Sequence, residues 1–309
     1  MISTLIYLFL TNNLRYQSSK NNNPMQKLFQ KIYYRIVKHR TDKVVNSKIL
    51  RGILASSSRV LDISNPHTWE FSCFSQNGED GIIDVLTKRI IKPNKYFIEI
   101  GSHNGLENCS TYVGLVRQYS GIMVEGDRSL SRDCDILMSG VNWGVESVQM
   151  FVTLENIDQL LKKALQKHPD LFVVDIDGND YYIVKHILDS RVRPAIFVVE
   201  YNSTYGPMRK LTIKYDKDFL YWKAHPSQLY FGASISAWKD LFIQHDYHFI
   251  GVDSNGVNAF FVDNSRFEEN FLQSIKPCEY KENFYELQKF KIPHSQRFDL
   301  IKDQSFLET

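Results

Sequence analysis

From Phe71 onward, short and almost wholly apolar runs alternate with stretches of helical period, and that alternation restricts the chain more than any other feature. It is the pattern of a largely parallel sheet covered by helices. Strands are expected over residues 96–100, 121–125, 145–152, 171–176 and 195–200, because parallel strands buried on both faces are this continuously apolar. Helices fall between them, best marked at 114–119, 157–166 and 181–188, with Asn156 or Asp158 able to cap the second and Asp180 the third. Two later runs, 249–252 and 259–262, are joined by a short stretch containing Asn255-Gly256, so they must pair antiparallel. The expected fold class is α/β: a mostly parallel, seven-stranded sheet with an antiparallel C-terminal hairpin strand and helices on both faces.

The 309 residues allow one large domain or two ordinary ones; 43% hydrophobic and 23% charged residues exclude collagen-like, low-complexity and wholly disordered classes. Thirty-seven basic against 35 acidic side chains leave a formal charge of +2, which argues against a surface built to hold nucleic acid. Cys73, Cys109, Cys134 and Cys278 form no CxxC pair, so neither a structural zinc site nor a secreted disulfide framework is indicated, and a reducing cytoplasm fits best. The one N-terminal apolar run, residues 5–10, is too short to span a bilayer and has no basic residue ahead of it. Residues 1–24, rich in Asn, Ser and Gln and ending at Pro24, form an expected flexible leader, with Met25 an alternative start. Residues 25–69 follow as a helical segment, with Leu28, Phe29, Ile32, Tyr33, Ile36 and Val37 at helical spacing among Lys27, Lys31, Arg35, Lys38 and Arg40. A basic amphipathic helix of this kind suits the inner face of a membrane or a glycan-assembly complex; docking on its own domain or on a second copy is the plainer alternative.

Phe97-Ile98-Glu99-Ile100-Gly101-Ser102-His103-Asn104-Gly105 is an apolar strand that ends in an acid and runs into a loop of form E-x-G-x-x-x-G. Glycines there let backbone approach a ligand closely. A dinucleotide fingerprint needs a glycine where His103 stands, so pyrophosphate fits poorly and a nicotinamide oxidoreductase is disfavoured. S-adenosylmethionine carries a sulfonium and an ammonium but no phosphate, and a carboxylate at Glu99 suits it. The second strand ends at Glu125, about twenty residues beyond the loop, where an acid can accept both ribose hydroxyls. The plain alternative is that Glu99 and Glu125 are solvated strand-end acids.

Further motifs lie in order around this loop: Ser75-Gln76-Asn77-Gly78-Glu79-Asp80-Gly81 ahead of the first strand, and Asp175-Ile176-Asp177-Gly178-Asn179-Asp180 after the fourth. Val199-Glu200-Tyr201-Asn202 follows the fifth, and Gly256-Val257-Asn258-Ala259-Phe260-Phe261-Val262 forms the last. Together they resemble the FkbM-like S-adenosylmethionine-dependent methyltransferases, which mostly methylate hydroxyls of sugars and other natural products. The resemblance covers residues 70–265 and leaves 266–309 as a C-terminal extension. It implies the Rossmann-like fold of the class I methyltransferases, whose open parallel sheet ends in such a hairpin. It also implies a cofactor held by Gln76, Glu79, Asp80, Glu99, Gly101, Ser102, Asn104, Gly105, Glu125 and Asp175, with the segment around Gln76, Asn77, Glu79 and Asp80 folding over it.

In an open α/β sheet the ligand crevice lies beyond the carboxyl ends of the strands. Asp177, Asp180, Glu200 and Asn202 arrive there as hard oxygen donors that suit Mg²⁺ or Mn²⁺ rather than zinc, with Asp177, Glu200 and Asn202 the expected ligands. Catechol-type O-methyltransferases resemble this arrangement with an Asp-Asn pair after strand five, a spacing from which Glu200-Tyr201-Asn202 departs. A divalent ion on a sugar hydroxyl lowers its pKa, and Asp180 or His225 is the expected base during attack on the methyl group, with Asp177 counted as catalytic through the metal. Asp180 could instead cap its helix, and a lone histidine is more often structural. Residues 203–230, with Gly206-Pro207 and His225-Pro226, form a long expected loop. Tyr201, Tyr205, Tyr215, Tyr221, Trp222 and Tyr230 offer faces for a sugar to stack on, or simply pack that loop. The expected activity is O-methylation of a sugar, either nucleotide-linked or in a surface glycan. The alternative is a non-catalytic module of a glycan-assembly complex that docks through its basic helix.

Overall fold

Seven strands form the central sheet: β1 (Tyr96–Ile100), β2 (Ser120–Glu125), β3 (Val145–Gln149), β4 (Leu171–Val174), β5 (Ile196–Glu200), β7 (Tyr247–Val252) and β8 (Asn258–Asp263). They lie in the order β3-β2-β1-β4-β5-β8-β7, and β8 alone runs against its neighbours, as the hairpin pattern requires. A computed structural model describes residues 43–309, of which Val44–Thr309 form one compact unit. The leader and the part of the expected basic helix before residue 43 lie outside the described residues.

The strands are continuously apolar because both faces are buried. Phe97, Met123, Leu171, Val173, Ile196, Val198, Phe260 and Val262 face one side; Ile98, Ile100, Ile122, Val124, Phe172, Val174, Phe197, Val199 and Phe261 face the other. The first face is covered by α1 (residues 43–57), α2 (Glu79–Thr87) and α4 (Arg128–Val141), the last through Cys134, Leu137 and Met138. Gly52 seats α1 against Cys73, whose Cβ would lie 2.5 Å from any Cβ added there. The opposite face carries α5 (Ile157–Lys163), α6 (Asp180–Asp189) and α8 (Ile235–Gln244), where Phe242 stacks on Phe261 at 4.0 Å between ring centroids. No helix among the described residues is long and apolar enough to cross a membrane.

Two expectations are corrected. The helix expected at 114–119 is a single turn, α3 (Thr111–Leu115), because Gln118 adopts a left-handed conformation and turns the chain into β2. The boundary expected at 265 does not divide the molecule. The segment after β5 contains β6 (Leu211–Ile213) and α7 (Tyr221–Ala224), and β6 pairs antiparallel with β9 (Phe306–Glu308) near the C-terminus. Tyr205, Ile213, Leu229 and Tyr230 bury themselves against Ile301, Phe298 and Phe306, so insertion and tail share one small core.

An ion-pair network fastens that tail. Arg297, from α11 (His294–Asp299), is wholly buried and lies 3.2 Å from Glu282 and 3.3 Å from Glu286 of α10 (Phe284–Phe290). Glu286 also accepts the Thr204 hydroxyl at 2.9 Å, just beyond β5. Removing the buried cation leaves Glu286, mostly buried, and Glu282, partly exposed, without it, a loss that approaches the lower end of the about 3–5 kcal/mol seen for broken buried pairs. Arg297→Ala is therefore expected to lower the unfolding free energy by about 3 kcal/mol in urea titrations; an unchanged midpoint would show that the tail does not depend on this network.

Candidate active site

Glu99 on β1 and Glu200 on β5 point to the same face of the sheet, the former alternating with Phe97 and the latter with Ile196 and Val198. Val174 pairs in register with Val199, so Asp175 follows on β4 beside Glu200 on β5. Asp177 enters from the loop after β4. Carboxylate oxygens of Asp175, Asp177 and Glu200 all lie within 4.8 Å of one another.

The loop that carries Asp177 is built by Asp180, whose two oxygens accept the N–H groups of Ile176 and Gly178, each at 2.8 Å. Asp177 itself takes a left-handed conformation, which aspartate tolerates better than most residues. Gly101 meets the same place from β1: with φ at +90°, a Cβ there would stand 1.6 Å from the Asp175 carbonyl oxygen, so only glycine fits. The glycine loop then crosses to β2, where the His103 N–H donates to Glu125 Oε2 at 2.8 Å and the Asp127 N–H to Glu125 Oε1 at 2.7 Å. Glu125 stays half-exposed with lone pairs to spare.

Burial, followed by repulsion from Asp177 and Asp180, pushes the Asp175 carboxyl well above its usual range. Glu200 is raised likewise by burial and then by Asp175 and Asp177, while Asp177 is raised to about 6 by burial and Asp180. No lysine or arginine among the described residues stands against these three charges. Glu200 Oε2, Ser102 Oγ, Asp80 Oδ1 and Asn258 Oδ1 are all buried without a hydrogen-bond partner. Buried polar atoms left unpaired are costly, and several in one corner of a fold point to a bound polar ligand or solvent. The donor set is three carboxylates within reach of one ion and no competing cation, which fits a hard divalent metal.

Several expected site residues prove to have other partners. Asn202 is not the third metal-facing group: its amide donates to the carbonyls of Leu229 and Phe231 and its oxygen caps Thr204, which gives Asp175 that place. Asp180 has both oxygens taken by the loop and is almost wholly buried, so it orders Asp177 rather than acting as a base. His225 Nδ1 accepts the Ser227 N–H at 3.2 Å and lies 2.8 Å from the Ser227 hydroxyl, so that nitrogen is engaged within its own turn. Glu99 does not stand open to a ligand: Cys109 N–H and the Ser110 hydroxyl both donate to its buried carboxylate. Asp80 accepts three backbone N–H groups, from Cys73, Phe74 and Ser75, and Glu79 binds Asn77 and the Asn258 side chain. Gln76 is exposed, Asn104 accepts the Leu106 N–H, and Gly105, at φ +75°, packs against Cys134.

Tyr221 gains a sharper place than its composition alone suggested. Its phenol is half-buried and held in the protonated form by burial, then by Asp177 and Glu200, which sets the ring beside the acid cluster. Trp222 and Phe231 meet it edge-on. Phe219 closes on Gly178, and Asn179 donates to the Asp216 carbonyl, so the insertion rests directly on the Asp177 loop.

No protein-family model matches the sequence, and no curated protein matches it. Among solved structures, the SAH complex of an O-methyltransferase from Bacillus cereus is 11% identical, with a TM-score of 0.41 over 71% of this chain and 89% of that one. The SAH-bound Podospora anserina methyltransferase PaMTH1 is 15% identical, with a TM-score of 0.43 over 82% and 100%. An S-adenosylmethionine-dependent methyltransferase from Clostridium acetobutylicum is 11% identical, with a TM-score of 0.37 over 60% and 89%. Likeness at this level describes the course of the chain and fixes neither substrate nor chemistry.

Glu99 provides a test of the buried acids. Burial raises its carboxyl from 4.5 to about 7, against the opposing hydrogen bonds from Ser110 and Cys109. The folded state thus keeps a proton that the unfolded chain has lost, so stability is greatest below the unfolded value and falls as pH rises towards about 7. Glu99→Gln removes this titration. Between pH 5 and pH 8 the wild-type chain is expected to lose about 2–3 kcal/mol more unfolding free energy than the variant; parallel pH profiles would refute the assignment.

Proposed function

We propose that this chain is an S-adenosylmethionine-dependent O-methyltransferase acting on a hydroxyl of a sugar, nucleotide-linked or within a surface glycan, with Mg²⁺ or Mn²⁺ as a resident ion. The observation that carries the proposal is the gathering of Asp175, Asp177 and Glu200, with no compensating cation, beside a glycine loop and the half-exposed Glu125. The strand order, with a single antiparallel strand next to the edge, is that of the class I methyltransferase sheet named by the sequence resemblance.

Each group then has a task. Glu125 offers oxygens to a ribose diol, and Gly101 lets the β1 loop close against the Asp175 backbone. Ser102 Oγ, buried and unpartnered, offers a hydrogen bond at the same loop. Asp175, Asp177 and Glu200 hold the ion, which when bound lowers the pKa of an acceptor hydroxyl. Asp177, the most exposed of the three and carried on a loop, is placed to take the hydroxyl proton. Tyr221 and Trp222 present aromatic edges and faces on which a sugar ring can rest.

Calorimetry with S-adenosylhomocysteine is the direct test. Wild-type protein is expected to bind it, and Glu125→Ala to weaken binding about tenfold, the equivalent of one lost hydrogen-bonding contact of about 1.4 kcal/mol. Absence of any binding by the wild type would overturn the proposal and leave the non-catalytic module. In methyl-transfer assays over nucleotide sugars, EDTA is expected to abolish turnover and Mn²⁺ or Mg²⁺ to restore it, while Asp175→Asn should resist restoration. Full activity in EDTA would remove the ion from the scheme but not the cofactor.

A further inference from the structure

At the amino-terminal edge of the sheet, opposite the acid cluster, the loops before β1, before β4 and after β8 line an open surface cavity of about 510 Å³. That is within the size range of small-molecule sites. Its polar lining is of one sign: Lys92, Lys167, His168 and Arg266, with the amide of Gln166. Neither Lys92 nor Lys167 pairs with a carboxylate among the described residues. The acids close by are already paired: Asp170, wholly buried, accepts the Lys95 N–H at 2.7 Å and an Arg266 nitrogen at 3.2 Å, and Asp263 accepts Arg193 Nε at 2.8 Å and the Ser265 N–H at 2.9 Å.

The lining is also held in position. Arg266 donates from Nε to the Ile91 carbonyl and from Nη2 to the Lys92 carbonyl, both at 3.2 Å, while the Ile91 N–H donates back to the Arg266 carbonyl at 2.8 Å. This clamp holds Lys92 at φ +56°, a left-handed conformation that a lysine adopts only when its surroundings impose it. Asn94 donates to the His168 carbonyl at 2.7 Å and ties the second loop to the first. His168 Nδ1 accepts the Arg193 N–H at 3.0 Å, so in the neutral ring Nε2 carries the hydrogen and is a donor. Burial, and then Lys167, Arg266 and Arg193, hold the His168 pKa below its usual value, which keeps that neutral form.

Lys92, Lys167, His168 and Arg266 thus line one depression from three separate chain segments, and the nearby Asp170 and Asp263 are both already paired. We propose that this cavity is a binding site for a phosphate-bearing small molecule, separate from the acid cluster at the other end of the strands. Lysines supply compact positive charge to phosphate oxygens and the imidazole N–H adds a directed hydrogen bond. The acid cluster repels such a ligand; this edge attracts it.

Isothermal titration of the full chain with inorganic phosphate tests the site, with S-adenosylhomocysteine titrated into the same preparations. Wild-type protein is expected to take up one phosphate. The Lys92→Glu, Lys167→Glu pair should weaken that binding by about tenfold or more, since each charge reversal replaces attraction by repulsion. The Lys92→Arg, Lys167→Arg pair should retain it, and thermal unfolding in phosphate-free buffer should be the same for all three. No phosphate uptake by the wild type, or uptake undiminished by the charge reversals, would overturn the proposal whatever the outcome with S-adenosylhomocysteine. Sedimentation with phosphatidic acid vesicles separates the sources of phosphate: capture by vesicles without uptake of free phosphate would replace the small ligand by a membrane surface.

Discussion

Burying like charges beside one another is the constraint around which this fold is organised. Asp175 directly follows β4 and Glu200 ends the neighbouring β5, Asp177 joins them from a loop, and Glu99 lies on β1 next to β4. Taking even one ionised carboxylate out of water is expensive, and a cluster without a cation raises every member's pKa instead. The chain spends backbone donors on the acids that need not meet a ligand, namely Asp80, Asp180 and Glu99, and withholds them from Asp175, Asp177 and Glu200. The division separates acids that shape the site from acids that can act in it.

Close approach of main chain explains how such a cluster is assembled at all. The Gly101 Cα lies so near the Asp175 carbonyl that any side chain would collide, which fixes the β1 loop against the end of β4. Asp180 then folds the next five residues back on themselves and leaves Asp177 projecting. The insertion after β5 closes over this loop, and the tail locks the insertion through β9 and Arg297. Tail and site are thereby mechanically connected: Glu286, bound to Arg297, also adds to the repulsion on Glu200.

Much of this was legible in the residues. Continuous apolar runs marked the strands to within a residue or two at most ends, and Asn255-Gly256 marked the hairpin that sets the sheet order. The acids at the ends of β4 and β5 stood out because no apolar core would place them there. Parity puts Glu99 on the same face as Phe97 and Glu200, and what takes it out of the crevice is the pair of donors from Cys109 and Ser110, ten and eleven residues on. What local pattern does not carry is partnership across long separations. Asn202 is consumed by carbonyls 27 and 29 residues away, and β9 pairs with β6 from almost 100 residues distant over only three residues. His225 is engaged locally, by an N–H and a hydroxyl two residues on.

The sheet also divides its charges by end. Acids uncompensated by lysine or arginine collect where the parallel strands finish, while Lys92, Lys167, His168 and Arg266 surround the place where they begin. A near-neutral total of +2 therefore conceals two sites of opposite preference, one for a cationic group and one for an anionic one. The strand residues between them are mostly apolar on both faces, with Glu99 the buried acid among them on β1, so direct electrostatic coupling between the two ends passes largely through a low-dielectric core. Any linkage between occupancy of one end and the other must instead run through the strand-connecting segments, of which the stretch from Lys167 through β4 to Asp175 is the shortest.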